Sequence, residues 1–380
     1  MKRLALLTAL ASLALLIPSA SASATTCTRV AATNGNDSAA GTAAAPFRTA
    51  QRLVNSLSAG QTGCLRSGTY GEDAEIVLNR AGITLTSYPN ERAKLVGRLW
   101  VADEGDNVTV SDLDLDGTNQ WDLPSPTVNA SDVTFRNNDV TNNYTAICFL
   151  LGSQDGYGRA YRTLIEGNRI HNCGVMPAQN HDHGIYIEAS TDAVIRNNWI
   201  YDNADRGIQL FPDADGTRIT GNVIDGNGQG IIFSGYGNKV SSNNVIERNV
   251  ISNSIVRFNV ESYYDEGDPV GTGNVVRQNC VFGARGWYGD GDGSGIQSPQ
   301  VGFRALDNMA VAPQFQNRAG KDFDLVAGSK CARLVSGGLT IGISLKAARR
   351  KVSVNQPLPL LGTTSGAEAG DILMTGAVLE

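Results

Sequence analysis

Val194-Ile195-Arg196-Asn197-Asn198-Trp199-Ile200 decides the fold once it is set beside five other stretches of the chain. They are Thr134-Phe135-Arg136-Asn137-Asn138-Asp139-Val140, Leu164-Ile165-Glu166-Gly167-Asn168-Arg169-Ile170, Arg218-Ile219-Thr220-Gly221-Asn222-Val223-Ile224, Val245-Ile246-Glu247-Arg248-Asn249-Val250-Ile251 and Val275-Val276-Arg277-Gln278-Asn279-Cys280-Val281. Each reads x-apolar-x-x-Asn-x-apolar. The asparagines recur at intervals of 30, 30, 24, 27 and 30 residues. Self-similarity at such a period is the signature of stacked repeats.

A second element follows in most repeats: Ala146-Ile147-Cys148-Phe149, Gly184-Ile185-Tyr186-Ile187, Gly207-Ile208-Gln209-Leu210 and Gly230-Ile231-Ile232-Phe233. Apolar alternation over three or four residues is strand period, not helix period. Each repeat thus carries three short strands: one before the Asn, one after it, and one after the Gly. Variable insertions between fixed strands suit a solenoid, in which each rung need only lie on its neighbour. This predicts an all-β chain coiled as a parallel β-helix. The asparagines are expected to serve architecture. Asn tolerates left-handed geometry in a bend, and its amide can bond from rung to rung.

From about Cys64 to about Leu334, roughly 27 residues per turn gives about ten rungs, or about 45–50 Å of stack. Pro46-Phe47 opens an expected amphipathic helix with Phe47, Ala50, Leu53, Val54 and Leu57 on one face. Such a helix would cap the open end of the coil. Residues 1–24 read as a secretory signal peptide: basic Lys2 and Arg3, the apolar run Leu4–Ile17, then Ala22-Ser23-Ala24. The β-helix domain is expected over 25–334. Residues 335–380 form a C-terminal tail; its strands around Ile341–Leu345, Val352–Val354 and Leu358–Leu361 look like an immunoglobulin-like module that stops before it closes.

The formal charge of −6 comes without a basic run, which argues against a nucleic-acid partner. No later stretch has the apolar length of a membrane span. A secreted, monomeric protein is expected. Its six cysteines, an even number in an exported chain, suggest disulfides. The sequence does not choose among the possible pairings. The expectation carried forward is Cys27–Cys64, Cys280–Cys331 and Cys148–Cys173.

The chain resembles the pectate-lyase-like superfamily of right-handed parallel β-helix proteins. Gly35-Asn36-Asp37-Ser38, Pro46-Phe47-Arg48-Thr49 and Gly68-Thr69-Tyr70 look like an opening motif of such exported proteins. Ala312-Pro313-Gln314-Phe315, Asp322-Phe323-Asp324-Leu325 and Gly328-Ser329 look like a closing one. The resemblance covers roughly residues 27–334. It implies a polysaccharide partner, although the superfamily includes lyases, hydrolases, C5-epimerases, phage tailspikes and adhesins, and a fold does not name a function.

The resemblance also implies a groove along one sheet and the turn before it, here the strand beginning at the Gly. Hand alignment of that face puts His183, Arg206 and Gln229 on successive rungs, then Tyr186, Gln209 and Ile232, with Cys148 beside Tyr186. Asp182 and Asp205 lie one position earlier. The long turn from Cys173 to His183 brings in His181, so two of the three histidines fall here. Polar residues at a solvent-facing turn are also expected with no function at all. Read as a lyase or C5-epimerase of an acidic polysaccharide, His183 or Tyr186 exchanges the C5 proton and Arg206 or a bound cation neutralises the uronate carboxylate. Neither a lysine-arginine base pattern nor an Asp-Pro-His-Asp motif is present; the chain has Asn180-His181-Asp182-His183. Read as a glycoside hydrolase, Asp182 and Asp205 are the carboxyl pair. Read as a non-catalytic binding or surface protein, Tyr186, Gln209, Phe211 and Tyr236 hold a glycan, with His181 nearby and Tyr263 and Tyr264 adding contacts.

Metal signals are weak. Adjacent residues of His181-Asp182-His183 point to opposite sides on a strand. Gly289–Ser294 starts like a calcium loop but has Val301 where the bidentate Glu belongs. Asp112, Asp114 and Asp116 alternate with Leu113 and Leu115 and read as the solvated acidic face of a half-buried strand, with calcium the alternative.

Overall fold

A computed structural model describes residues 26–285 and 292–333. The expected signal peptide, the 335–380 tail and part of the Gly289–Ser294 loop lie outside them.

Strands of one kind stack on their own kind, and the long Ala93–Val101 bends to serve both the second column and the third. The strands that precede the Asn form an eleven-stranded parallel sheet in chain order, among the described residues. Phe135, Ile165, Ile195, Ile219, Ile246 and Val276 follow one another across it, and each points into the coil. The strands after the Asn stack likewise, with Val140, Ile170, Ile200, Ile224, Ile251 and Val281 inward. The third column holds Gly68–Leu78, Ala93–Val101, Thr127–Val128, Phe149–Leu151, Ile185–Thr191, Arg206–Asp215, Gln229–Tyr236 and Val260–Tyr263. In the strands before and after the Asn, the register read from the apolar positions of the sequence is the register of the fold.

The asparagine ladder is continuous. Asn138 donates its main-chain N–H and its Nδ2 to Asn168 Oδ1, at 2.9 and 3.0 Å. The same pair of bonds repeats from Asn168 to Asn198, Asn222, Asn249, Asn279 and Asn308. The left-handed backbone, however, belongs to the residue before each ladder Asn: Asn137, Gly167, Asn197, Gly221, Arg248 and Gln278. The preceding residue turns the corner, which leaves the ladder Asn free to aim a buried amide at the next rung. A second ladder, unread in the sequence, runs from Cys173 N–H to Asn203 Oδ1 (3.0 Å) and from Asn203 Nδ2 to Asn227 Oδ1 (2.8 Å). It fixes the turn that opens the third strand. There the recurrent glycines are needed for space: a Cβ on Gly230 would sit 2.1 Å from the Asn259 carbonyl oxygen.

Both ends differ from expectation. The first strand, Arg29–Ala31, precedes the helix and pairs with Thr62–Leu65. The helix between them spans Ala50–Asn55 with Thr49 as N-cap, and buries Ala50, Leu53 and Val54. Phe47 is buried just before it, in a bridge to Ala31 rather than in the helix. Among the described residues the last parallel strand is Phe303–Leu306. The chain then folds back as an antiparallel hairpin, Phe315–Asn317 with Asp322–Leu325, over the outer face of the strands that follow the Asn. Phe323 is buried against Trp199 and Tyr201, while Arg318 and Lys321 pair with Asp225 and Asp202 at 2.7 and 2.5 Å. Disulfides join Cys27–Cys64, Cys148–Cys173 and Cys280–Cys331.

The acidic strand is not simply solvated. Asp114 pairs with Arg92 and Asp116 with Lys94, each at 2.7 Å, and Asp112 accepts from the Asn137 amide. Among the described residues no helix is long and apolar enough to cross a membrane.

Candidate functional site

Along the third column, every second residue points away from the core. Pairing links one outward residue per rung: Val77, Trp100, Thr127, Leu150, Tyr186, Gln209, Ile232 and Glu261. Leu150, not Cys148, lies beside Tyr186. Cys148 sits in the turn before its strand, is buried, and is held by the disulfide to Cys173; the strand begins only at Phe149.

The near part of this row is open at every member but Thr127, which is buried between Trp100 and Leu150. Trp100, Leu150 and Tyr186 are partly exposed, and about 14 Å separates the strands of Trp100 and Tyr186. Trp100 Nε1 donates to Asn129 Oδ1 at 2.8 Å, which locks the indole, and Tyr157 stands edge-on to it at 6.1 Å. Tyr157 is 62% exposed. Tyr186 stacks near-parallel with Phe211 at 6.4 Å, so the rings continue onto the next rung. Glu188, two residues beyond Tyr186, holds the Gln154 N–H at 2.9 Å. Burial, with Asp155 nearby, raises the Glu188 carboxyl above its ordinary value.

The far part is closed. Gln209, Ile232 and Glu261 are buried although they point outward. Arg206, 1% exposed, donates from Nε to Gln229 Oε1 and from Nη1 to Gln209 Oε1, both at 3.0 Å. Its Nη1 also meets the Asn180 carbonyl oxygen at 3.0 Å, and its Nη2 the Asn180 side-chain oxygen. The turn that begins at Cys173 therefore lies over Arg206. Burial lowers the Arg206 guanidinium to about 10, offset in part by Glu261 and Asp205. Glu261 is covered by Arg257 at 2.6 Å; burial raises its carboxyl, and Arg257 and Arg206 oppose that rise. His183 is 1% exposed. Burial, then Arg206 and His181, lowers its imidazole well below the ordinary value, so the ring is neutral. His183 Nδ1 and Glu261 Oε1 have no hydrogen-bond partner. The His183 ring meets the Tyr186 ring edge-on at 5.6 Å, and burial, with Glu188 adding, raises the Tyr186 phenol.

The carboxylates of the turn have structural tasks. Asp205 Oδ2 accepts the main-chain N–H groups of His181 and Asp182 at 2.8 and 2.9 Å. The Asp182 carboxyl is raised by burial and by Asp205. His181 is exposed, and Tyr236 is 58% exposed at the end of its strand. So His181, Asp182, His183, Tyr186, Asp205, Arg206 and Gln209 do gather on two rungs, but His183, Asp205, Arg206 and Gln209 are buried there.

Trp100, Leu150, Tyr157 and Glu188 were not singled out in the sequence. Trp100 lies in an alternating run, Ala93–Val101, whose odd positions are buried, so its outward direction is readable. Its rung lacks the x-x-Asn signature that aligned the later rungs. Tyr157 stands in a turn with no repeat to place it.

Residues 127–298 match a family described as "Right handed beta helix region". No curated protein matches the chain. Among solved structures, the chain is similar to XylC in complex with xylose: 11% identity, 76% of this chain and 70% of that one, TM-score 0.55. It is also similar to the pectate lyase Pel9A: 17% identity, 85% of this chain and 90% of that one, TM-score 0.51. At these identities the likeness is one of fold. The chain folds as a right-handed parallel β-helix, the fold it shares with these two structures.

Proposed function

We propose that the protein is secreted and holds an extended polysaccharide on the open stretch of the third column. One observation carries this: Trp100, Leu150 and Tyr186 share a single outward row on a rigid sheet, with Tyr157 and Phe211 against its ends. Flat, fixed rings offer apolar area to the C–H faces of sugars at little entropic cost. That one structural neighbour is a pectate lyase and another was solved with xylose agrees with carbohydrate as the ligand class.

A lyase or C5-epimerase is the second reading, favoured by the contact of His183 with Tyr186 beside Arg206. It requires the turn over Arg206 to lift, since all the Arg206 partners are now protein oxygens. Hydrolysis by Asp182 and Asp205 is disfavoured, because Asp205 is buried and spent on two main-chain N–H groups.

The test is retardation of the native protein in gels containing soluble polysaccharides, alongside an ultraviolet assay for unsaturated uronate product. The expected outcome is retardation without product, weakened about fivefold to tenfold by Trp100→Ala or Tyr157→Ala. Unchanged retardation in both variants would remove the open stretch as the site. Unsaturated product lost with His183→Ala would favour the second reading.

A further inference from the structure

We infer that the polysaccharide held on the open stretch is uncharged: rich in hydroxyl groups and free of carboxylates, not a polyuronate as the superfamily resemblance led us to expect. This rests on the glycan reading above and names its ligand class.

A polyuronate brings a carboxylate with each sugar, and a site that selects it must leave cations free to meet them. Around the open stretch the arginines are engaged. Arg98 Nη1 lies 2.5 Å from Glu75 Oε1, and its guanidinium rests over the Trp100 ring at 5.2 Å. Arg159 is spent entirely within the fold. It gives Nη1 to Asp213 Oδ2 at 2.7 Å, Nη2 to the carbonyl oxygens of Ser190 and Asp213 at 2.9 and 3.0 Å, and Nε to Thr191 Oγ1 at 2.8 Å. Lys239 is exposed and has no ion pair among the described residues; its charge offsets that of Glu188 only in part. Farther along the face, Arg206 and Arg257 are committed to the closed part.

The carboxylates are less fully used. Glu188 spends Oε1 on the Gln154 N–H, and Oε2 has no bond among the described residues. The Asp155 side chain has none. The two lie close enough to repel each other. A uronate entering beside Tyr186 would add a third negative charge. An uncharged sugar would meet rings for its C–H faces and the free Glu188 oxygen for a hydroxyl, the mix that fixes small polar ligands in apolar sites, with Asp155 adding only its charge.

The experiment compares neutral polymers (arabinoxylan, glucomannan, mixed-linkage glucan, dextran) with polygalacturonate and alginate, using affinity gels and titration calorimetry at low and high salt. The expected result is binding of at least one neutral polymer, changed less than about twofold by salt. Polyuronates are expected to bind at least about tenfold more weakly. Asp155→Asn, which removes a charge but no hydrogen bond of that side chain, should strengthen polyuronate binding about threefold and leave the neutral polymer unchanged. Polyuronate binding as tight as neutral binding, and weakened by salt, would overturn this inference and leave the glycan reading standing. Binding of no polymer would overturn both.

Discussion

One row of outward residues on one sheet behaves in two ways. From Trp100 to Tyr186 it offers partly exposed rings and aliphatic surface; from Gln209 to Glu261 it is buried under the turn at Asn180 and the segment at Arg257. Strand geometry is common to both halves, so exposure is decided by the insertions between strands. In the closed half the insertion supplies oxygens and cations that consume the polar groups of the sheet. In the open half the turns carry exposed Trp121 and Tyr157 instead. A β-helix can therefore present a line of side chains and decide, rung by rung, which of them a ligand can reach.

The largest effect should come from breaking the closed half. Arg206→Ala leaves the oxygens of Gln209, Gln229 and Asn180 buried without their charged donor, and removes a second cation from the field of Glu261. A loss of about 3–5 kcal/mol is expected in urea unfolding, with glycan affinity of the surviving folded protein within about twofold. A large affinity loss in folded Arg206→Ala would join the two halves into one site. Asn222→Ala tests the support that both halves share. It strands the Asn198 N–H and the Ile195 carbonyl in the core, and about 3 kcal/mol should be lost by the same measurement. In the open half Trp100→Ala should cost about 1 kcal/mol of binding and less of folding, the reverse of Arg206→Ala.

The remaining effect is in pH. The His183 imidazole is held below its ordinary value of 6.5 by burial, so the unfolded chain takes up that proton first as pH falls. Stability tied to His183 is complete above pH 6.5 and is lost below it, approaching about 1.4 kcal/mol per pH unit. Asp139 behaves similarly lower down. Burial opposes its ionisation, but His171, Arg169 and Arg92 bring its carboxyl to about 2, so its contribution is present above pH 3.8 and disappears toward pH 2. Thermal melts of His183→Phe should be flatter between pH 6.5 and 5 than those of the parent. An identical slope would mean that His183 is reached by water and that the half is not closed.

The sequence carried much of this architecture and little of the site. The apolar positions around Asn198 set the register because a slip of one residue would turn every Ile outward. The three disulfides fell where the expectation carried forward had placed them. The positive-φ position was misassigned by one residue because Asn suits both a bend and a ladder, and composition does not say which. His183, Tyr186 and Arg206 were correctly gathered on neighbouring rungs, since the Gly before each strand marks the register. Their burial was not legible. It depends on how the turn after Cys173 folds, and Asn180 reaches Arg206 across 26 residues through contacts that no periodicity encodes.

The central claim is that ligand meets the open half and not the closed one. Hydroxyl-radical footprinting of the native protein, with and without a retained polysaccharide, reads both halves in one experiment. The prediction is protection of Trp100, Tyr157 and Tyr186, with His181 and Tyr263 unchanged. Protection centred on His181, with Trp100 and Tyr157 still reactive, would contradict it and move the site to the turn over Arg206.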